Sequence, residues 1–186
     1  MKKEPKIVNP SKLYLVWDPK KCTGCVSCML ACSLAHEGVE NLSLSRIQIK
    51  SDPFDCFPDD IEIFPCLQCR FPECYYACPE KDKALSIDKE TGIRYINPED
   101  CIGCGACRKA CLYTPSRIGW DSEKKVSFKC NLCRKTAYWD EQGKPVCVEV
   151  CPTNALKITD RRPRGYDSYI VNLRGEGWAK IGFPTD

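Results

Sequence analysis

The sequence predicts an α+β fold built from short strands and single helical turns. Two observations carry this prediction: one structural unit recurs four times along the 186 residues, and the apolar content is modest. Hydrophobic residues make up 43% of the chain, but that figure includes all 17 cysteines. The remaining apolar side chains have little mass for a conventional core, so something else has to fill the interior.

Each repeated unit opens with a short run of β-branched and aromatic residues, as expected of a strand. Several cysteines follow, then a few residues of helical character and a last cysteine. The opening runs are 13–17, 61–64, 93–96 and 126–128, and further short runs lie at 84–87 and 155–158. Between two of these runs, residues 88–92 predict a hairpin turn in which Gly92 supplies a positive φ angle.

The first and third units carry uninterrupted cysteine runs with the spacing x2, x2, x3. These runs are Cys22, Cys25, Cys28 and Cys32, and Cys101, Cys104, Cys107 and Cys111. The second and fourth units are variants with a longer middle gap, spaced x2, x4, x3 and x2, x13, x3. These are Cys66, Cys69, Cys74 and Cys78, and Cys130, Cys133, Cys147 and Cys151, each followed by a proline, Pro79 or Pro152.

Three classes of protein use so much cysteine: disulfide scaffolds, zinc modules and iron–sulfur proteins. The first eleven residues are charged and contain proline, without the apolar region of a secretory signal peptide. The cysteine count is also odd, and cysteine-rich chains without a secretory signal more often use thiolates for metal or redox chemistry. Both observations argue against a disulfide framework.

The uninterrupted runs favour iron–sulfur clusters over zinc. Three cysteines within seven residues put three thiolates on one tight loop, where backbone amides can point at sulfur and stabilise the negative charge of a cluster. A fourth thiolate has to come from elsewhere, and in two-cluster ferredoxins the last cysteine of each run ligates the other cluster. Structural zinc sites prefer separated C-x2-C pairs, a reading that suits only Cys66/Cys69 and Cys130/Cys133.

On these four runs the chain resembles the four-cluster, ferredoxin-like iron–sulfur subunits of molybdenum and tungsten oxidoreductases of the dimethyl sulfoxide reductase type. The resemblance covers residues 13–159, and the run from Cys69 to Pro79 is most similar to the short subunits beside tungsten aldehyde oxidoreductase-type and benzoyl-CoA reductase enzymes. It implies four 4Fe–4S clusters in two nested bacterial-ferredoxin-like halves. Residues 1–36 and 120–159 would form one half, 61–119 the other, with 37–60 as a linker and 160–186 as a C-terminal docking tail.

The resemblance also implies which cysteines share a cluster, because last cysteines are exchanged between runs. We name the four sets after their lowest-numbered member. The Cys22 quartet is Cys22, Cys25, Cys28 and Cys151, and the Cys32 quartet is Cys32, Cys130, Cys133 and Cys147. The Cys66 quartet is Cys66, Cys69, Cys74 and Cys111, and the Cys78 quartet is Cys78, Cys101, Cys104 and Cys107. In place of a proline, Ser33 follows Cys32 and Leu112 follows Cys111.

The implied function is an electron-transfer subunit, not an enzyme, that relays single electrons between a tungsten- or molybdenum-pterin catalytic subunit and another carrier or electron-transfer subunit. Two alternatives stay open: a free polyferredoxin and a zinc-based interaction module. Lys and Arg total 28 against 25 Asp and Glu, too even a balance to indicate nucleic acid. No apolar stretch approaches the ~18 residues of a membrane span, so a cytoplasmic complex is expected.

Three features remain outside the repeats. Cys56 belongs to no C-x2-C pair and is expected to be a free structural thiol rather than a cluster ligand. His36, the one histidine, has no visible partner base and is expected at the surface or at a helix end. The tail 160–186 carries an arginine group and four aromatic residues, types enriched in interfaces, and could dock a partner or wrap around the rest of the protein.

Overall fold

The computed structural model describes residues 8–57, 60–134, 136, 138 and 143–161. Its strands are β1 (Tyr14–Trp17), β2 (Ile47–Ser51), β3 (Ile61–Pro65), β4 (Leu85–Ile87), β5 (Arg94–Ile96), β6 (Ile118–Asp121), β7 (Val126–Lys129) and β8 (Leu156–Thr159). Its α-helices are α1 (Ser27–Glu37), α2 (Glu73–Tyr76), α3 (Ala106–Lys109) and α4 (Val146–Glu149), with 3-10 turns at Pro19–Lys21 and Leu42–Leu44.

The strands form four separate two-stranded antiparallel ribbons. Three join neighbours along the chain: β2 with β3, β4 with β5, and β6 with β7. The fourth joins the first and last described strands, β1 and β8, with Leu15 opposite Ile158. The two ends of the described chain are therefore hydrogen-bonded to each other, and the middle of the sequence lies between them.

The predicted class of short strands and short helices is confirmed, and all six predicted runs contain a strand. The hairpin turn at 88–92 also forms: Gly92 has a φ of +69°, and its amide donates to the Asp88 carbonyl over 2.8 Å. Two strands were not predicted. Strand β2 lies inside the predicted linker 37–60. Its Ile47 and Ile49 alternate with polar residues, the pattern of a half-buried strand, and both pack in or against the core.

Helix α1 is longer than the single turn that the repeat suggests, with eleven residues. It begins after Val26, which has a left-handed backbone, and ends at Gly38, whose amide donates to the Leu34 carbonyl over 3.0 Å in a left-handed C-cap. The helix contains Cys28 and Cys32, four residues apart. That spacing leaves two cysteines of one run one turn apart, on the buried side of the helix.

The core is shared between aliphatic and cysteine side chains. One buried group combines Leu15, Ile47, Ile63, Ile93 and Leu132 with Cys28, Cys32, Cys66, Cys130 and Cys147. Apolar residues alone therefore do not fill the interior, as the composition predicted. The stability of this core therefore depends on the group that the cysteines bind.

Gln68 ties the second cysteine run to distant parts of the chain. Its side chain is 1% exposed, donates to the Cys130 carbonyl over 2.8 Å and accepts from the Arg94 amide over 2.8 Å. A second link is the pair of Arg134 with Asp88, whose Nη2 and Oδ2 atoms are 3.0 Å apart. These contacts connect the β4–β5 hairpin to the loop around Cys130 and Cys133.

Candidate metal centres

Three of the four predicted quartets surround a cavity. The four cysteines of the Cys22 quartet line one cavity together with Ile49, Ile63 and Leu156. Cys151 arrives there at the end of the fourth run, far from the other three in sequence, because the β1–β8 ribbon brings the chain ends together. The Cys25 thiol is exposed, whereas Cys28 on α1 is buried.

The Cys66 quartet lines a second cavity, completed by Cys111 from the third run. Three cationic side chains, Arg94, Arg117 and Lys129, line the same cavity. The sequence reasoning missed these residues, because they come from three separated positions with no spacing signal.

The Cys78 quartet lines a third cavity, where Cys78 from the second run meets three cysteines of the third. The other lining side chains are mainly aliphatic, among them Leu85 and Ile96. This site reaches the surface: Cys104 is exposed, and its neighbour Ile102 is 64% exposed.

The Cys32 quartet is the most deeply enclosed, and all four of its thiols are buried. They are close enough to interact electrostatically: the pKa of Cys147 is raised first by burial and then by Cys130, Cys133 and Cys32. Helices α1 and α4 carry Cys32 and Cys147. The structure thus brings together every set of four cysteines that the resemblance implies.

The four cysteine loops share one backbone feature. In each run, the residue before the second cysteine has a left-handed conformation. These residues are Gly24 (φ 67°), Gln68 (49°), Gly103 (70°) and Leu132 (55°). Left-handed residues turn successive amides inward and can form an anion-binding concavity, and glutamine and leucine adopt this conformation only at a cost.

Backbone amides donate to several of the sulfurs. The bonds are Arg46 N to Cys32 (3.3 Å), Arg117 N to Cys111 (3.3 Å), Leu132 N to Cys130 (3.5 Å), Val146 N to Cys133 (3.4 Å) and Ala155 N to Cys151 (3.2 Å). Such donors stabilise thiolates and the negative charge of a group bound to them. The amides of Glu80 and Leu85 also donate to Cys78, so each of the four quartets has at least one amide of this kind.

Burial keeps most of these thiols protonated when nothing is bound. It raises the pKa of Cys28 to about 12 and that of Cys69 to about 11, with neighbouring cysteines adding to the effect. The exposed Cys25 differs, because hydrogen bonds from Ser27 lower its pKa. Metal ligation requires thiolates, so filling these sites must release protons.

The donor set fits a 4Fe–4S cluster. Four thiolates are the ligands of a cubane, and each quartet supplies four sulfurs with at least one backbone amide donating to them. Along the described residues, no three His, Cys, Asp or Glu side chains are arranged to hold a single metal ion. The quartets instead surround a volume, which suits a group whose iron atoms each bind one cysteine.

Comparison with known proteins gives the family. Residues 60–161 match the model of the 4Fe–4S dicluster domain, and residues 19–35 match a 4Fe–4S binding domain. The protein belongs to the 4Fe–4S dicluster family. The cofactor prediction of 4Fe–4S clusters is therefore confirmed. The predicted class, an electron-transfer iron–sulfur subunit of an oxidoreductase, is confirmed by the relatives described next.

Several proteins similar to this one are subunits of oxidoreductases. The polyferredoxin-like subunit of an aliphatic sulfonate oxidoreductase from Pyrococcus furiosus is 38% identical over 79% of this sequence and 78% of its own. A subunit of the polysulfide reductase of Wolinella succinogenes is 32% identical over 80% of this sequence and 76% of its own. A component of the benzoyl-coenzyme A reductase active-site complex shares 22% identity and a TM-score of 0.45, covering 79% of this protein and 78% of that component.

The other sequence-predicted features lie outside the quartets. Cys56 is a free thiol as expected, but it is exposed rather than packed. His36 is in the last turn of α1, and burial followed by the charge of Arg46 lowers its pKa to about 3. The predicted docking tail 160–186 lies outside the described residues from residue 162 onward. Within the described part, no helix is both long and apolar enough to cross a bilayer.

Proposed function

We propose that the protein binds four 4Fe–4S clusters, one in each quartet, and relays single electrons through them. The observation that carries this proposal is the lining of three cavities by four cysteines each, three from one run and one from another. The ligand exchange supports two nested halves, residues 1–36 with 120–159 and residues 61–119. The β1–β8 ribbon adds support for the outer half.

The contacts between quartets give the clusters an order. Cys74 lies in helix α2 and Cys78 lies two residues beyond its end, so the Cys66 and Cys78 quartets are neighbours. The thiol of Cys66 interacts with that of Cys130, which links the Cys66 and Cys32 quartets. Cys28 interacts with Cys147, which links the Cys32 and Cys22 quartets. The resulting row runs from the Cys78 quartet through the Cys66 and Cys32 quartets to the Cys22 quartet.

Exposure along this row suits a relay with two ends. Cys104 in the Cys78 quartet and Cys25 in the Cys22 quartet are exposed, whereas the Cys32 quartet between them is fully buried. Electrons tunnel efficiently only across short gaps, so a row of centres extends the path that one protein can span. Exposed terminal clusters would exchange electrons with partners, and enclosed ones would connect them.

The partner that we propose is a tungsten- or molybdenum-pterin catalytic subunit, with another carrier or electron-transfer subunit at the opposite end, in the cytoplasm. Subunits of a sulfonate oxidoreductase and a polysulfide reductase among the relatives support a fixed partner of this kind. The segment 160–186 remains our proposed docking tail. Truncation after Thr159 should then abolish binding while leaving the clusters in place.

One anaerobic purification tests both parts of the proposal. We expect about sixteen irons per protein molecule, four for each cluster, and co-purification of a larger subunit containing tungsten or molybdenum. About twelve irons would mean that one quartet does not assemble, and bound zinc would contradict the cofactor. A fully loaded protein that elutes alone would favour the free polyferredoxin. A truncated protein that binds its partner at full strength would assign docking to the cluster-bearing body.

A further inference from the structure

The cavity of the Cys66 quartet is lined by buried positive charge. Lys129, the last residue of β7, is 2% exposed, and Arg94, the first residue of β5, is fully buried. The Lys129 ammonium donates to the Arg94 carbonyl over 3.0 Å and also contacts the Cys66 thiol. Arg117 completes the group, with its guanidinium 4.3 Å above the Phe64 ring. Arginine keeps its charge at any physiological pH.

Protein carboxylates give these cations little counter-charge: Glu62 acts on Arg117, but it is exposed and lies beyond ion-pair distance. Within the part of the chain that the structure describes, none of Arg94, Arg117 and Lys129 forms an ion pair. Four buried guanidinium nitrogens, Nε and Nη2 of Arg94 and Nε and Nη1 of Arg117, have no hydrogen-bond partner. Glu73, the one carboxylate lining the cavity, is exposed and therefore well solvated. Burying a charge without a partner is costly, so a missing partner is expected close by.

The other quartets have no comparable surroundings. Among the residues that the structure describes, no cation lines the cavities of the Cys22 and Cys78 quartets; Asp60 lies beside Cys22, and Glu80 lines the Cys78 cavity. The Cys32 quartet has Arg46 nearby, but the Arg46 guanidinium is paired with the Glu37 carboxylate at 3.0 Å. Uncompensated buried cations therefore distinguish one site of the four.

A 4Fe–4S cluster with four thiolate ligands is negatively charged, and it gains one more negative charge when it accepts an electron. A fixed cation favours the reduced form over the oxidised form, and this preference is strong where solvent screening is weak. The effect of each cation on the reduced form adds to that of the others.

We propose that Lys129, Arg94 and Arg117 give the cluster of the Cys66 quartet the highest reduction potential of the four, so that an electron entering the row comes to rest there. This inference rests on the proposed function, because it requires a cluster in that quartet. It makes the three cations tuning residues for an interior electron store, one step from the exposed Cys78 quartet. Each cation acts by its charge on the electron and takes part in no bond-making step.

The test is a redox titration of the full-length, cluster-loaded protein followed by electron paramagnetic resonance, with Lys129→Met as the main variant. Removing the charge should lower the ratio of reduced to oxidised cluster at a given potential by at least about tenfold, equivalent to about 59 mV for one electron. Only the highest-potential signal should move this far. The signal that moves should be the one that disappears in Cys74→Ser, which identifies it with the Cys66 quartet.

Two variants control for the charge itself. Lys129→Arg keeps the charge and should stay within about threefold of the natural protein, because the interaction depends on charge and distance. Lys89→Met removes an exposed charge from the β4–β5 turn and should change the ratio less than about twofold, because solvent screens it. If Lys129→Met does not retain its iron, Arg117→Gln provides the same test with a side chain that is only partly buried.

Iron analysis separates failure of the inference from failure of the proposed function. Full iron with an unmoved highest potential in both Lys129→Met and Arg117→Gln would overturn the inference and leave the four-cluster relay standing. An equal fall in Lys129→Arg would also overturn it, because charge would then not be the cause. A natural protein that lacks the Cys66 cluster would overturn both.

Discussion

The Cys66 and Cys78 quartets are built from the same two cysteine runs and lie on either side of the C-terminal end of helix α2, yet their surroundings differ. Three cations line the first cavity, two of them buried and Arg117 partly buried, and the second cavity is lined mainly by aliphatic residues. The second also opens to solvent through the exposed Cys104 thiol. Each quartet takes its fourth cysteine from the other run, so neither can form without the neighbouring loop.

The same ligand pattern can therefore serve two roles, holding an electron or passing one on, and the surroundings of the quartet distinguish them. Cysteine spacing determines what is bound, because four thiolates suit the same cubane in both places. Charge and exposure determine the potential of that group and which partners reach it. The enclosed, cationic site suits holding an electron, and the exposed, aliphatic site suits passing one on.

The largest expected effect is the loss of structure when iron is removed. Because cysteines occupy much of the buried core, metal binding should supply much of the folding free energy. We expect chelation to remove iron first from the quartets with an exposed cysteine, Cys25 or Cys104, and then from the enclosed ones, with unfolding at the end. Iron analysis and circular dichroism along the same time course measure this, and native-like dichroism in iron-free protein would contradict it.

The next largest effect is the loss of one cluster through a distant ligand. Cys151→Ser should remove or alter the cluster of Cys22, Cys25 and Cys28, a loss of up to about four irons, since Cys151 lines their cavity. Cys56→Ser is the matched control and should leave all clusters intact, because Cys56 is exposed and outside every quartet. If the spectrum of the Cys130 and Cys133 cluster changes instead, the exchange of ligands between runs is wrong.

A smaller effect should be confined to the exposed site. Gly103 and Gly105 flank Cys104, and both have a φ of 70°. A methyl group at Gly103 would collide with the Lys125 carbonyl oxygen, whereas one at Gly105 would meet nothing within 4 Å. We expect Gly103→Ala to cost about 3 kcal/mol or more and Gly105→Ala only about 1 kcal/mol.

The rate of iron release in mild denaturant measures this difference. The Cys78 cluster should be released faster in Gly103→Ala, with the Cys66 cluster little affected. Equal rates in the two alanine variants would mean that backbone strain, rather than the collision, determines the stability of the exposed loop.

The smallest effect concerns the link between the β4–β5 hairpin and the loop after Cys133. Burial would raise the pKa of Asp88, but hydrogen bonds from Thr91 and Arg134 outweigh it and hold the pKa below its usual value. The stabilisation that these hydrogen bonds give to ionised Asp88 is present at neutral pH and is lost as pH falls below about 4. Asp88→Asn should therefore cost about 1 kcal/mol at pH 7 and progressively less in acid.

Glu90→Gln is the control for this pair. Its carboxylate is 86% exposed and 3.6 Å from Arg134, so its removal should have no measurable effect. Chemical denaturation of the loaded protein at several pH values compares the two variants. An Asp88→Asn deficit that does not shrink in acid would show that charge is not the cause.

The cysteine runs and most strands could be predicted because each depends on local spacing, and the assignment of those cysteines as cluster ligands stays a prediction. The short β-rich runs before the cysteines became β1, β3, β5 and β7, and the exchange of last cysteines followed from a family resemblance. Strand β2 left a signal in the alternation of Ile47 and Ile49, but it lies in a segment without paired cysteines and was assigned to a linker.

The surroundings of the quartets were not predictable, because they depend on contacts between distant residues. Arg94, Arg117 and Lys129 look like ordinary surface charges in the sequence, and only the fold turns them toward one cavity. The left-handed Gln68 and Leu132 were equally hidden, since glycine occupies the matching position only in the first and third runs. Comparing the four runs position by position would have found that signal.

The ribbon between β1 and β8 has a consequence for biosynthesis. Ribosomes add about 5–20 residues per second, so Cys151 emerges roughly 6–25 seconds after Cys28. All cysteines of residues 66–111 are synthesised well before that. The Cys66 and Cys78 quartets can therefore bind their clusters before Cys151, the fourth cysteine of the Cys22 quartet, has been made. Cluster assembly should therefore begin in the middle of the sequence. It should end when strands β1 and β8 pair and bring Cys151 to the Cys22 quartet.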